Sequence, residues 1–215
     1  AGTVIEKFKN PFEETYFLTK DHDWLQLVDD ENHVKGLLLE TSEDKCLTKR
    51  KKYEYLNENN PFYHDGIELP HKVVCYDECA VIDTEGVCAY QIPDKKGFAG
   101  DSADNIPGIY RIGDKTACSV IQAFDSMDVF YHCMNQLNTN DKFELLKSIG
   151  VGKSSAEKLI NGIEVAFMSK KLATIVRDCE DISYDYDHYK VDLNVTVLQR
   201  IIHCYQLNEI ERFVS

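Results

Sequence analysis

The spacing of apolar and polar positions predicts an α/β arrangement for the first part of the chain. Runs of β-branched and aromatic residues indicate strands, whereas apolar residues three or four positions apart indicate helices. The predicted elements are the end of a helix over residues 4–8, a strand over 15–19, an acidic loop over 20–23, a helix over 24–28 and a strand over 33–39. Asn10 and Pro11 end the first helix. These few elements favour a fragment of a larger α/β core over a self-contained domain.

The pattern changes twice in the rest of the chain. Residues 45–84 are poorly periodic and contain two strand-like pieces, 73–76 and 80–83. From Gln91 almost to Ser215, apolar residues recur at helical spacing, with short glycine-containing connections. The expected fold is therefore α/β: part of a mixed-sheet core over residues 1–90, followed by an all-helical subdomain over residues 91–215.

Two segments of the helical part resemble each other. IGDKTA (112–117) and VGKSSA (151–156) each place a glycine, a lysine and a hydroxyl just before an amphipathic helix. Glycine permits a tight turn close to a ligand, and the first N–H groups of a helix point outward at an anion. Two phosphate-binding hairpins are one interpretation, and ordinary helix starts with capping residues are the other. Nucleotide binding is not expected, because Lys147 stands where the Walker pattern needs its first glycine.

Two pairs of acidic residues are the strongest candidates for chemistry. Asp21 and Asp23 follow a predicted strand at its carboxyl end, where α/β sheets place their ligands. Asp101 and Asp104 are three positions apart, close enough to converge in a turn. Either pair alone is typical of turns and helix caps. Together, their oxygens suit a hard cation such as Mg²⁺ or Mn²⁺.

Composition and charge narrow the class of protein. The chain has 215 residues and a formal net charge of −13, so any contact with nucleic acid must be local. Its basic run at residues 49–52 is either a strand contact or a solvated loop. Eight scattered cysteines without a CxxC pair indicate reduced thiols, and no apolar run is long enough to span a membrane. These features indicate a reducing, cytosol-like compartment.

Six segments of the chain form an ordered set of motifs: TKDHDWLQL (19–27), QIPD (91–94), GDSADNIPGI (100–109), IGDKTA (112–117), SKKLATIVRD (169–178) and YQLNEIERF (205–213). In this order they resemble the 5′ nuclease domain of bacterial DNA polymerase I and the related phage flap endonucleases. The resemblance is weakest over residues 46–88. It implies a two-metal phosphodiesterase in which Asp21, Asp23, Asp101 and Asp104 hold the second Mg²⁺ or Mn²⁺ ion. His22 departs from the pattern, because the family often has lysine there.

The same resemblance implies a helix-three-turn-helix that grips the DNA backbone around residues 101–117. In such a motif, the carbonyls of Ile106, Ile109 and Ile112 are expected ligands for K⁺. The expected DNA-contacting residues are Gly108, Arg111, Gly113, Lys115, Thr116 and Lys153. Lys115 and the amides of Gly108 and Gly113 are the groups expected to face phosphates.

One departure from the family concerns the start of the chain. An acidic motif, a basic motif and a helical arch precede this region in the family, and none is in this sequence, which begins at Ala1. We therefore expect a missing amino-terminal half, in the same precursor or as another chain, that supplies the first metal site. The expected function is cleavage of DNA flaps, nicks or gaps in replication and repair. The resemblance also implies a cytoplasmic, nucleoid-associated location or a comparable reducing, DNA-containing compartment. The alternatives are a non-catalytic duplex-DNA-binding fragment and a helical protein-interaction scaffold.

Overall fold

A three-stranded mixed sheet forms the first part of the described chain. The computed structural model describes residues 2–10, 12–40 and 72–180. The strands are β1 (Thr15–Thr19), β2 (Val34–Glu40) and β3 (Lys72–Tyr76). The strand order is β1-β2-β3, with β1 parallel and β3 antiparallel to β2. The three strands predicted over 15–19, 33–39 and 73–76 are confirmed.

Helical segments precede and follow the first strand. Helix α1 spans Gly2–Phe8, as its apolar pattern predicts. After β1, His22–Leu27 form a 3₁₀ helix rather than the α-helix predicted over 24–28. Asp21 caps this 3₁₀ helix, and Val28 already has extended backbone, so too few residues remain for α-helical turns. Leu25, Gln26 and Leu27 are all buried in it.

The strand-like piece over residues 80–83 is a helix, which corrects the sequence prediction. Helix α2 spans Glu78–Glu85. The Asp77 side chain accepts a hydrogen bond of 2.7 Å from the Ala80 N–H, and Gly86 ends the helix with a φ of 75°. This pair of start and stop residues outweighs the β propensity of the segment between them.

The remaining described elements are helical from Ala89 to Ala173, as predicted. They are a 3₁₀ turn (Ala89–Gln91), α3 (Ile92–Ala99), α4 (Asp114–Phe124), α5 (Met127–Gln136), α6 (Thr139–Ser148), α7 (Lys153–Asn161) and α8 (Ile163–Ala173). The basic run at residues 49–52 and the matching segment at residues 205–213 lie outside the described residues.

Buried side chains from the sheet and from the helices form one continuous core. Phe17 and Tyr76 enter it from the strands, and Phe98 and Phe130 from α3 and α5. Phe98 and Phe130 pack edge to face with ring centroids 5.5 Å apart. The Lys170 ammonium lies 2.6 Å from the buried Asp94 carboxylate, which ties α8 to the start of α3. The domain boundary at residues 90/91 stays a prediction.

Two other sequence expectations concern thiols and membranes. The six described cysteines are free, on residues Cys75, Cys79, Cys88, Cys118, Cys133 and Cys179. Within the described ranges, none of the helices combines the length and apolar character that crossing a bilayer requires.

Candidate metal centre and nucleic-acid interface

Three carboxylates from distant parts of the sequence meet at one cavity. One oxygen from each of Asp23, Asp101 and Asp104 lies within 4.8 Å of the others. The first two side chains are partly buried, and Asp104 is exposed. Carboxylate oxygens at this spacing can coordinate a hard divalent cation together with water. The donor chemistry of the cluster therefore fits Mg²⁺ or Mn²⁺.

Asp21 lies at the same cavity but plays a local structural role. Its Oδ1 accepts a hydrogen bond of 2.9 Å from the Asp23 N–H, which caps the 3₁₀ helix after β1. The Asp21 N–H in turn donates to Thr19 Oγ1 at 3.0 Å. Asp21 also lines the open cavity of about 670 Å³ beside the other three carboxylates. The structure thus brings Asp23, Asp101 and Asp104 together, and the fourth expected acid, Asp21, lines the same cavity.

A tight loop presents Asp101 and Asp104. The backbones of Asp101 and Ile106 exchange two hydrogen bonds of 2.8 Å, and Asp101 Oδ1 accepts from the Ala103 N–H at 2.9 Å. Gly100 has a φ of 76°, and a Cβ there would lie only 2.6 Å from the Ile106 carbonyl oxygen. Glycine is therefore required at position 100, where α3 ends and this loop begins.

Buried Gln26 fixes the other side of the cavity. Its Nε2 donates to the carbonyls of Asp23 and Ala173 at 2.9 and 3.0 Å, and its Oε1 accepts from the Ile175 N–H at 2.9 Å. The turn that carries Asp23 is thereby held against the end of α8. Gln26 belongs to the matched segment 19–27, but its partners could not be read from the sequence.

Lys96 is a cavity residue that the sequence analysis missed. Its Nζ contacts Asp23 Oδ1 and lies 2.6 Å from Asp101 Oδ2. Burial would raise the pKa of Asp101, but hydrogen bonds from Lys96 and from the Ala103 amide hold that pKa below its usual value. The only signal in the sequence was the lysine pair that follows QIPD (91–94).

A second charged group lies beside the carboxylates. Lys95 Nζ lies 2.7 Å from Glu85 Oε2, and His22 Nδ1 lies 3.4 Å from Glu85 Oε1. Burial would raise the pKa of Glu85, but the hydrogen bond from His22 and the charge of Lys95 lower this pKa to about 2. All three residues line the cavity. Glu85 and Lys95 were not among the site residues predicted from the sequence.

Gly108 is buried and makes its hydrogen bond inside the protein. Its N–H donates to Ser169 Oγ at 3.0 Å, and both residues are buried. Its φ is 58°, and a Cβ there would lie 2.1 Å from the Gly100 nitrogen. The expected contact between the Gly108 amide and a phosphate does not fit this structure, because that donor is already used inside the fold.

The carbonyls proposed from the resemblance as K⁺ ligands belong to the same loop. The Ile106 carbonyl accepts from the Asp101 N–H, and the Ile109 carbonyl accepts from the Ile112 N–H at 2.9 Å. A carbonyl oxygen has two lone pairs, so each retains acceptor capacity. The side chains of Ile106, Ile109 and Ile112 are buried and anchor the loop to the core.

An exposed basic and aromatic surface surrounds this loop. The Tyr110 ring is 72% exposed. The Arg111 guanidinium lies 5.1 Å and the Lys158 ammonium 5.8 Å from the centre of this ring. Lys115 and Lys153, at the starts of α4 and α7, are exposed. Tyr110 precedes the first glycine-lysine segment (112–117), and Lys158 belongs to the helix that begins in the second segment (151–156). Their contact therefore connects the two segments whose similarity the sequence showed.

The glycines of these two segments are not needed for backbone conformation. Gly113 and Gly152 are the N-caps of α4 and α7, with φ of −107° and −69° that other residues adopt. A Cβ at either position would meet nothing within 4 Å in the protein. Open space beside both helix starts leaves room for a ligand, whereas the tight-turn argument made from the sequence is wrong there.

Comparison with known proteins identifies the family of the chain. Residues 87–195, about half of the chain, match the family described as 5′-3′ exonuclease, C-terminal SAM fold. The chain belongs to the 5′-3′ exonuclease family. Over 177 residues it is 31% identical to DNA polymerase I of Caldicellulosiruptor bescii, which covers 82% of this chain and 16% of that protein. It is 34% identical over 105 residues to a 5′-3′ exonuclease of Buchnera aphidicola, covering 49% of this chain and 32% of that protein.

A solved structure of a 5′-exonuclease shares the fold. T5 5′-exonuclease with divalent metal ions (zinc) bound superimposes with a TM-score of 0.52 and 16% sequence identity. The superposition covers 80% of this chain and 47% of that protein. This chain therefore spans less than half the length of these relatives, and the likeness establishes the fold of the domain.

Proposed function

We propose that this chain is the carboxyl-terminal part of a Mg²⁺-dependent, structure-selective 5′ nuclease that cuts DNA at flaps, nicks or gaps during replication and repair. The observation that carries the proposal is the meeting of Asp23, Asp101 and Asp104 at one cavity. This cavity adjoins the loop whose other end carries exposed cations. A phosphodiester held by those cations would lie near oxygen ligands for a metal ion.

Asp23, Asp101 and Asp104 would hold the cation, with Asp21 in reach from the cavity wall. Bound there, Mg²⁺ or Mn²⁺ would supply Lewis-acid stabilisation of charge on the scissile phosphate. The protein's own part is to fix the ligands: Gln26 holds the Asp23 turn, and the Asp101–Ile106 backbone pair holds the opposite loop. Such preorganisation reduces the rearrangement needed when the substrate binds.

The duplex would be held by the helical part of the chain. Arg111, Lys115 and Lys153 are exposed cations next to helix starts, and Gly113 leaves open space for close approach of a phosphate. Thr116 is half-exposed in the first turn of α4 and adds a hydroxyl. Local clustering of cations allows binding despite the net charge of −13. The Ile106, Ile109 and Ile112 carbonyls would hold K⁺ beside this surface.

The first metal site would be supplied by an amino-terminal half that packs on the sheet. Among the described residues, β1 is an edge strand. Leu18 on this strand is 61% exposed, and nearby Phe12 is 91% exposed. An edge strand with exposed apolar side chains is a surface that another strand can cover. Two-metal catalysis would then require both halves.

A flap-cleavage assay with Mg²⁺ tests this proposal. It compares the 215-residue chain, the chain joined to an amino-terminal half from a related nuclease, and the joined protein carrying Asp101→Asn. The expected results are slow or no cleavage, metal-dependent 5′ cleavage, and a loss of rate by orders of magnitude, since each 1.36 kcal/mol of lost transition-state stabilisation costs about tenfold. Full-rate cleavage by the chain alone, or cleavage by the joined protein that Asp101→Asn leaves unchanged, would contradict it.

The alternative function is non-catalytic binding of duplex DNA. It is favoured by Lys96, whose ammonium already forms ion pairs with two of the three carboxylates. In that case the chain binds DNA with the same salt dependence, but the joined protein does not cleave it with Mg²⁺ or Mn²⁺. The cleavage assay separates the two functions.

A further inference from the structure

An ammonium group lies where the carboxylate cluster would bind a cation. Lys96 is in the last turns of α3, and its Nζ reaches Asp23 from the first part of the chain and Asp101 from the following loop. Its side chain is only 13% exposed. The side chains of Asp23 and Asp101 are 18% and 21% exposed. The three groups therefore form two partly buried ion pairs rather than a surface contact.

Carboxylates this close together repel one another unless a positive charge lies among them. In this structure the charge comes from the protein itself. A divalent ion coordinated by Asp23 and Asp101 would bind the same two carboxylates that the Lys96 ammonium contacts. The ion and the ammonium would also repel each other at this distance.

We propose that Lys96 is an internal counter-ion that holds the cluster assembled before metal binds and that must leave Asp23 and Asp101 when a divalent cation enters. Lysine suits this role, because its compact charge sits on a flexible four-carbon stem with three rotatable donors. The displaced ammonium would point into the open cavity that Lys96 lines. This inference rests on the proposed divalent-cation site and adds the group that competes for it.

Two consequences distinguish a competing counter-ion from a purely structural ion pair. A competitor lowers the affinity of the cluster for cations, so its removal strengthens cation binding. It also stabilises the metal-free protein, so its removal lowers stability without metal and makes stability depend more on metal. A structural ion pair away from the cation site would affect stability alone.

The test measures Mn²⁺ binding to the full chain by isothermal titration calorimetry, and thermal unfolding with and without Mn²⁺. Lys96→Met is expected to bind Mn²⁺ at least roughly tenfold more tightly than the wild type, because a unit charge a few ångströms from the ion is removed. Lys147→Met is the matched control: it removes the same charge from a side chain that is 76% exposed. Its affinity for Mn²⁺ should equal that of the wild type.

Lys96→Arg provides a second test in case the methionine variant does not fold. The guanidinium keeps the charge and can bridge both carboxylates, so Mn²⁺ should bind more weakly than to the wild type. Mn²⁺ affinity that is unchanged or weaker in Lys96→Met, or unchanged or tighter in Lys96→Arg, overturns the inference. If Asp101→Asn leaves wild-type Mn²⁺ binding unchanged, or if the wild type binds none, the proposed metal site fails instead, and the inference fails with it.

Discussion

The Gly108 N–H donates a hydrogen bond to Ser169 Oγ at 3.0 Å, inside the protein and between residues 61 positions apart. Ser169 is fully buried on α8. The bond holds the loop between α3 and α4 against α8, and that loop carries Asp101 at one end and Arg111 at the other. A single hydroxyl in the last helix described thus helps to place the acidic end of the loop relative to its basic end.

Ser169→Ala should destabilise the protein by about 1–3 kcal/mol, because the Gly108 N–H would remain buried without an acceptor. Urea unfolding followed by circular dichroism measures the change. Ser148→Ala is the control, since the Ser148 hydroxyl donates to the Leu145 carbonyl at an exposed position. Equal stability of the two variants would show that the Gly108–Ser169 bond does not hold the loop.

Gly108→Ala should be strongly destabilising, whereas Gly113→Ala should not. At Gly108 the backbone is left-handed, and a methyl group would collide with backbone atoms of Ala99 and Gly100. Left-handed strain of about 1–2 kcal/mol and overpacking of about 1–3 kcal/mol should add. At Gly113 a methyl group meets open space, and alanine there should be close to neutral. Thermal unfolding of the two variants under the same conditions provides the comparison.

Lys115→Ala and Lys153→Ala should each weaken duplex binding for all sequences alike. If each ammonium contacts one phosphate, each substitution makes the plot of log affinity against log salt shallower by about one unit. Fluorescence anisotropy with a labelled duplex between low and moderate salt measures this slope. Lys35→Ala is the control, since Lys35 lies on β2 and pairs with Glu14 at 2.9 Å. Loss of affinity for only some base sequences would contradict a phosphate contact.

Glu85 should make the free energy of unfolding depend on pH in acid. Its pKa is lowered from 4.5 to about 2, so its stabilising contribution is present above pH 4.5 and is lost as the pH falls toward 2. Glu85→Gln should flatten this dependence, by at most about 1.4 kcal/mol per pH unit for one proton. Urea unfolding at several pH values measures the slope. Glu144→Gln, at a side chain that is 76% exposed, should leave it unchanged.

Local sequence patterns predicted most of the described elements correctly. The strand at Thr15–Thr19 follows from its β-branched and aromatic residues, and the helices after Gly113 and Gly152 follow from their apolar spacing. The strand predicted over residues 80–83 was wrong. Asp77 and Gly86 set the boundaries of a helix there, and a short apolar run does not reveal such boundaries. The four candidate acids could be selected because their spacing and their resemblance to a nuclease family agreed.

The sequence by itself determined the types of residue at each element and the acidic and basic groups available for chemistry, because these follow from spacing and composition along the chain. Only the tertiary structure decided which of them meet. Asp23 faces Asp101 while Asp21 caps the 3₁₀ helix, since the 3₁₀ turn sets their side-chain directions. Lys96 enters the cluster because α3 packs beside that turn. Contacts across some seventy positions depend on how helices and strands pack, and no local pattern encodes them.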